Sequence, residues 1–153
     1  MFWPFVVVGL ILGLSIFATN YFSNFSMGPS NSWYSKLNRV SFQPPPITFS
    51  VVWTILYLIL WYTISVSYPK DKSILYYFIF LAFLLAFWSF VFFQLQSLYG
   101  AALVLFITFI VAWIIWRKLV RVSSTQTVPT LFLLFISWIF LATILNTTLA
   151  MIN

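Results

Sequence analysis

Aromatic side chains are the residues of this chain whose type and spacing could support chemistry. Many of them recur four residues apart, and residues at that spacing lie on one face of a helix. Three such rows hold Phe49, Trp53 and Tyr57; Trp88 and Phe92; and Trp138, Ala142 and Leu145. If these faces turn inward, they would line a cavity suited to a large, planar, mostly apolar ligand. The same spacing also fits aromatic core packing or contact with lipid.

The residue types that carry most enzyme chemistry are missing. The sequence has no His, Cys or Glu, and its one acidic residue is Asp71. Metal sites built from His, Cys or clustered carboxylates are therefore excluded, as are Ser–His–Asp triads, carboxylate pairs and thiol redox centres. We expect no metal, no required cofactor and no ordinary catalytic residue, so any chemistry must use aromatic rings, amides, hydroxyls or a bound ligand.

The composition is that of a membrane protein. Of the 153 residues, 63% are hydrophobic and 5% are charged, whereas a soluble domain carries about 25% charged residues. Five apolar runs each reach the roughly 20 residues that a helix needs to cross a bilayer. The runs are Trp3–Tyr21, Ile47–Ser67, Ser73–Gln94, Leu98–Trp116 and Val128–Ile152. We predict an all-α membrane protein in which residues 1–153 form one domain of five transmembrane helices.

Five spans divide the links between two sides of the membrane. The N-terminus and the second and fourth links share side A, and the first link, third link and C-terminus share side B. Side B holds Lys36 and Arg39, and side A holds Lys70, Lys72, Arg117, Lys118 and Arg121. The positive-inside rule places side A in the cytoplasm of a bacterial inner-membrane protein. The charge is too diffuse for nucleic acid, and membrane lipid is the expected partner.

The first link, from about Phe22 to Pro46, is much longer than "YPKDK" and "QLQS". Those short links predict that the second, third and fourth runs are antiparallel neighbours. The stretch "SNSWYSKL" predicts a short helix capped by Ser30 or Ser32, and "PPP" places Pro46 at the first turn of the next helix. Long loops often cover binding sites, so we expect an ordered cap over side B. A loop that only spaces two helices remains the alternative.

Three tryptophans lie deeper than the interfacial belts in which membrane tryptophans usually sit. At 1.5 Å per residue, Trp53, Trp88 and Trp138 are roughly 10, 9 and 21 Å from the side B ends of their runs. Three others fit a belt on side A: Trp3, Trp113 and Trp116. We therefore predict a ligand cavity beneath the first link. Interhelical hydrogen bonds are expected from Asn20, Thr143 and Asn146.

Four motifs, in order along the chain, resemble the TspO/MBR family, which includes the mitochondrial translocator protein (peripheral-type benzodiazepine receptor) and bacterial tryptophan-rich sensory proteins. They are "WYSKLNRVSFQPP" from Trp33, Trp53 followed by "TILY", "WSFVFF" from Trp88, and "WIFLATILN" from Trp138 to Asn146. The chain departs from the family at several positions where Pro or Asn is usual: Val40, Val51, Leu85, Phe90 and Leu134. The sterol motif of animal members is absent from "NTTLAMIN".

The resemblance implies a five-helix bundle, usually a homodimer, with a ligand pocket under the first loop. It also implies a multi-pass location in a bacterial membrane or in an organelle membrane such as the mitochondrial outer membrane. Family ligands are porphyrins and haem-type tetrapyrroles, sterols in animals, and benzodiazepine- or isoquinoline-type drugs. The family's pocket tryptophans correspond to Trp53 and Trp138, and its loop aromatics to Trp33 and Tyr34.

The sequence thus predicts a tetrapyrrole-binding membrane protein with a transport, sensing or stress-response role. The predicted ligand-binding residues are Trp33, Tyr34, Phe49, Trp53, Tyr57, Trp88, Phe92, Trp138, Ala142, Leu145 and Asn146. Lys36 or Arg39 would meet the ligand's carboxylates. One alternative is light- and oxygen-dependent porphyrin degradation, with Trp53 and Trp138 as electron partners. Others are a sterol-binding or sterol-transport protein and a partner-binding protein with a vestigial cavity.

Overall fold

The computed structural model describes residues 33–153 and eight residues of the first apolar run. Those eight are all helical: Val6, Gly9, Leu10, Gly13, Leu14, Ile16, Phe17 and Tyr21. The first predicted span, Trp3–Tyr21, otherwise lies outside the described residues, as do Asn20 and the predicted caps Ser30 and Ser32. In the described part of the chain, every regular element is helical.

Four of the described helices are long and apolar enough to cross a membrane, whereas five spans were predicted. They are α1 (Pro46–Ser67), α2 (Ile74–Ser89, continued by a π-helical turn, Phe90–Gln94), α3 (Leu98–Val122) and α4 (Thr127–Ile152). They match the second to fifth predicted runs. The predicted end of the fourth run, Trp116, was wrong by six residues. Charged residues such as Arg and Lys end an apolar run but favour helix. α3 therefore continues to Val122, and the backbone becomes extended at Ser123.

The turn between α2 and α3 depends on a serine and a glycine. Ser97 precedes α3, and its Oγ accepts a hydrogen bond of 3.2 Å from the Gly100 backbone nitrogen. This cap satisfies one of the backbone donors that a helix start leaves unpaired. A Cβ atom on Gly100 would stand 2.7 Å from that same Oγ. The close approach explains why a glycine occupies the first turn of α3.

The packing order of the helices differs from the prediction in one respect. α4 packs against α3 and α1, and α3 packs against α2, but α1 touches α2 only briefly. The prediction that the second and third runs are neighbours therefore holds where their short link joins them. There, Ile64 of α1 and Ile74 of α2 belong to one core.

Two apolar clusters divide the bundle across the membrane. The side A cluster contains buried residues of all four helices, including Leu60, Leu81, Ile115 and Phe132. The side B cluster is built by α2, α3, α4 and Val40 of the first link, and no described residue of α1 belongs to it. Toward side B, α1 is therefore held by α4, where Phe49 meets Trp138, and not by the side B cluster.

Polar contacts tie the two described side A links together. The Lys118 Nζ lies 2.8 Å from an Asp71 carboxylate oxygen, and Lys70 donates a 2.8 Å hydrogen bond to Ser124. The other Asp71 oxygen accepts hydrogen bonds from the Ser73 backbone and hydroxyl, at 2.9 and 2.7 Å. The hydrogen bond from Lys118, with those from Ser73, lowers the pKa of Asp71 from 3.8 to about 2. These contacts place both links on one side of the bundle, as predicted.

Asp71 is expected to make the stability of the protein depend on pH only in strong acid. Because its pKa is lowered on folding, its contribution is complete above the ordinary value of 3.8 and is lost as pH falls through about 2. The melting temperature of detergent-solubilised wild-type protein should therefore exceed that of Asp71→Asn near neutral pH. The difference should shrink between about pH 4 and pH 2. A difference that is constant down to the acid limit would contradict this role.

Candidate ligand-binding site

The first link lies against the side B end of α2. The predicted short helix is present as a single 3-10 turn, Trp33–Lys36. The Trp33 and Tyr34 rings meet the Phe92 ring edge-on, with centroids 5.6 and 5.9 Å apart. Gln43 donates a 2.8 Å hydrogen bond to the Tyr34 hydroxyl, and Val40 is buried. The described part of the link, from Trp33 onward, is therefore packed on the bundle by its own aromatic and apolar side chains.

An asparagine pair fastens the first link to the end of α4. The Asn38 backbone nitrogen donates to the Asn153 side-chain oxygen at 2.7 Å, and Asn153 returns a 3.1 Å hydrogen bond to the Asn38 carbonyl. The Asn38 side chain adds a 3.3 Å hydrogen bond to the Ile152 carbonyl. The first link and the C-terminal end of α4 thus share one side of the bundle, as the predicted topology requires.

One group of predicted site residues surrounds the π-helical turn of α2. Trp88 stacks on Phe92 with a centroid distance of 5.4 Å. The turn forms because the Leu95 nitrogen bonds to the Phe90 carbonyl, five residues back, at 3.1 Å. The turn begins at Phe90, a position where the family that the sequence motifs resemble often has Pro. A π-helical turn and a proline each break the regular hydrogen-bond pattern of a helix. The turn buries Phe92 and Phe93 together, and sequence spacing had indicated only Phe92.

Asn146 joins three helices beside this group. Its buried side chain accepts a 3.1 Å hydrogen bond from the Trp88 indole nitrogen and donates one of 3.1 Å to the Leu98 carbonyl. The predicted interhelical role of Asn146 is confirmed. Thr143 shows no interhelical hydrogen bond among the described residues, and its hydroxyl donates to the Ile139 carbonyl of its own helix at 2.7 Å. Asn146 therefore fixes the Trp88 ring, and Leu145 packs in the same cluster.

A second group of predicted residues lies between α1 and α4. The Phe49 and Trp138 rings meet edge-on with centroids 5.6 Å apart, and Trp53 contacts Tyr57 at 5.8 Å. All four rings are half-buried. The Trp138 indole nitrogen is buried and has no hydrogen-bond partner among the described residues. The second group therefore holds a donor that the described residues around it leave unsatisfied.

The two groups are separated by one small side chain on α4. Ala142 is half-buried and lies one turn from Trp138 on one side and from Asn146 on the other. No ring contact joins the groups within the described part of the chain. The structure thus brings the predicted residues together as two aromatic walls rather than as one packed cluster, with Ala142 between them.

Two tryptophans assigned to the side A belt behave differently. Trp113 is 44% exposed and fits the belt. The Trp116 ring instead packs against the side A cluster, and its indole nitrogen is buried. The depth of a residue along a helix was used to assign both, and depth does not say which face of α3 meets the core.

The described helices, with two aromatic walls beneath a packed loop, are those of a multi-pass integral membrane protein. A comparison with protein-family models matches the TspO/MBR family over residues 5–152. The chain belongs to the TspO/MBR family, as the four sequence motifs indicated. A comparison with curated proteins found no match.

Proposed function

We propose that this protein binds a planar, largely apolar ligand of the porphyrin or tetrapyrrole type in the side B half of the bundle. The observation that carries the proposal is the pair of aromatic walls on either side of Ala142. One wall consists of half-buried rings, and the other presents the half-buried Trp88 stacked on the buried Phe92. A planar macrocycle needs flat apolar surfaces on which to stack, and a small residue between two walls leaves room for it. Transport, sensing or a stress response would each use such binding.

The unsatisfied indole of Trp138 supports the same proposal. A buried donor without a partner costs about 1–3 kcal/mol, and a ligand acceptor that reaches it would offset that cost. The indole N–H of Trp88 already donates a hydrogen bond to the Asn146 side-chain oxygen. Of these two tryptophans, Trp138 is therefore the one whose N–H is available to a ligand, while Trp88 offers its ring.

The first link supplies positive charge near the proposed site. Lys36 and Arg39 are both exposed, and the sequence has no acidic side chain other than Asp71, which pairs with Lys118 on side A. Porphyrin propionates at the mouth of the site would therefore meet cations that have no competing acidic partner in the sequence. A guanidinium can bind a carboxylate with two parallel hydrogen bonds.

The proposal is tested by titrating the purified protein with protoporphyrin IX in the dark. Saturable quenching of tryptophan fluorescence is expected, beyond that of free tryptophan in protein-free micelles. Excess cholesterol should not reverse it, because a puckered sterol stacks poorly on flat rings. Quenching no greater than the micelle control would reject the proposal, and displacement by cholesterol would favour the sterol alternative.

Illumination of the same sample separates binding from degradation. A binder should return the porphyrin unchanged after illumination, apart from the loss seen in protein-free micelles. Faster loss of porphyrin with protein than without, dependent on both light and oxygen, would instead assign the enzymatic alternative. In that case the rate should be nearly flat between roughly pH 6 and 8, because the chain has no His or Cys to titrate there.

Loosening the first link is expected to speed release of bound porphyrin. Asn153→Ala removes both hydrogen bonds that its side chain makes to the Asn38 backbone. A net loss of about 1 kcal/mol corresponds to roughly fivefold faster dissociation. Pro44, Pro45 and Pro46 replaced together by Gly should act in the same direction by raising the entropy of the open link. Stopped-flow displacement measures the rate.

Thr148→Ala is the matched control for the link. Thr148 lies near the same end of α4, but its hydroxyl bonds only to the Ile144 carbonyl, at 2.9 Å. This variant should release porphyrin at the wild-type rate. Helix content should be unchanged by circular dichroism in all variants. If Asn153→Ala and the glycine variant both kept the wild-type rate, the first link would not act as a lid.

A further inference from the structure

Positive charge on side A far exceeds the negative charge available to neutralise it. Five of the seven cations lie there with Asp71, the one acid of the whole sequence. The Lys118 Nζ pairs with an Asp71 carboxylate oxygen at 2.8 Å and also lies 5.5 Å from the centre of the Tyr77 ring. The other four side A cations can therefore find no carboxylate within this chain. Their remaining charge partners are anions from outside the protein.

Two of these cations are adjacent on the surface of α3. Arg117 and Arg121 are one turn apart in the last turns of the helix, and both are exposed. Neither forms an ion pair within the part of the chain that the structure describes. Like charges at this spacing destabilise a helix, and an anion bound between them removes the repulsion. Guanidinium groups suit phosphate, because each offers two parallel donors to its oxygens.

An exposed tryptophan lies on the same face one turn earlier. Trp113 is 44% exposed and precedes Arg117 by four residues. Membrane tryptophans sit at the level of the headgroup interface. At 1.5 Å per residue, Arg117 and Arg121 lie about 6 and 12 Å beyond it toward side A. Toward side A, the surface of α3 is therefore first apolar, then carries the indole, and then carries the two guanidinium groups. The acyl chains, the glycerol and the phosphate of a phospholipid follow one another in the same order.

Other exposed aromatic side chains mark the same level of the membrane. Trp61 and Tyr62 lie near the side A end of α1, and Tyr76 and Tyr77 lie near the side A start of α2. A belt of this kind fixes the depth of the bundle, so that the α3 face meets the headgroups of one leaflet. The side A face and the proposed ligand site on side B are at opposite ends of the helices.

We propose that the face formed by Trp113, Arg117 and Arg121 binds the headgroup of an anionic phospholipid in the side A leaflet. The two guanidinium groups hold the phosphate, and the indole packs beside the glycerol region. The remaining exposed cations, Lys70 and Lys72, strengthen the attraction without fixing the site. The binding requires no porphyrin and is independent of the function proposed for the side B half.

Native mass spectrometry of the protein in detergent micelles tests this proposal. Micelles are titrated separately with phosphatidylglycerol and phosphatidylcholine, and the fraction of protein with one bound lipid is measured. Wild-type protein should bind phosphatidylglycerol at least about fivefold more tightly than phosphatidylcholine. A single cation near an anionic lipid surface already contributes about that much. The double variant Arg117→Gln, Arg121→Gln should lose this preference, to less than about twofold. Arg121→Gln alone should lose part of it.

The side B cations provide a matched control. Lys36→Gln with Arg39→Gln removes the same number of charges and should keep the wild-type preference for phosphatidylglycerol. Added salt should weaken the preference of wild-type protein and leave that of the Arg117 and Arg121 double variant unchanged. The proposal is overturned if wild-type protein shows no preference, if the arginine variants retain it, or if the side B control loses as much.

Discussion

Replacing Asn146 by leucine is expected to lower the free energy of unfolding by about 2 kcal/mol. The change conserves size but removes the hydrogen bonds to the Trp88 indole and the Leu98 carbonyl, both 3.1 Å long. The indole donor would then be left without a partner at a depth where no water is present to replace it. Because Asn146 joins α2, α3 and α4, the helices should also unfold less cooperatively. Thermal or chemical unfolding in detergent measures both effects.

Thr148→Val is the control for Asn146→Leu. Thr148 lies on α4 half a turn away, and its hydroxyl bonds to the carbonyl of Ile144 in its own helix. Loss of this hydroxyl should change the free energy of unfolding by less than about 0.5 kcal/mol. If both variants unfolded like the wild-type protein, the asparagine would not hold the three helices. The fluorescence of Trp88 should change only in Asn146→Leu.

Trp53→Ala and Trp138→Ala are each expected to weaken porphyrin binding by at least about 1 kcal/mol, or roughly fivefold. Each change removes a ring from the wall between α1 and α4, where Trp138 contacts Phe49 and Trp53 contacts Tyr57. Trp138→Phe should lose less than Trp138→Ala, because it keeps a ring for stacking and loses only the indole donor. Equilibrium titration with protoporphyrin IX in the dark provides the affinities.

Trp61→Ala is the matched control for these variants. Trp61 is on α1, about 12 Å nearer to side A than Trp53, and it is 45% exposed. Its removal should leave the porphyrin affinity within about twofold of wild type. Equal losses at Trp53, Trp61 and Trp138 would show that porphyrin binds without regard to the aromatic wall, and would place it in the surrounding micelle or on the outer surface.

Hydrophobic run length was enough to predict the four described membrane helices, because the cost of unpaired backbone groups in lipid leaves few alternatives to a helix. It was not enough to predict the end of α3, since Arg117, Lys118 and Arg121 are polar but favour helix. The π-helical turn was also missed. Nothing in the spacing of Phe90 to Gln94 distinguishes a hydrogen bond five residues back from one four residues back.

The candidate site was predictable in its residue types but not in its arrangement. Rows of aromatic residues identified both walls, because side chains four apart share a face of a helix. The spacing could not show that the described residues of α1 stay outside the side B cluster, or that Trp116 packs inward. The pairing of Asn38 with Asn153 joins residues 115 positions apart, and no local pattern predicts such a contact.

The location of a bound porphyrin can be read most directly from the methyl group of Ala142. This methyl lies between the two aromatic walls, and the ring current of a stacked porphyrin would move its NMR signal. Ala112, buried in the side A cluster, serves as the internal reference. Titration of methyl-labelled protein with protoporphyrin IX in the dark should shift or broaden the Ala142 signal saturably and leave that of Ala112 in place. An unmoved Ala142 signal at saturation would contradict a site between the aromatic walls.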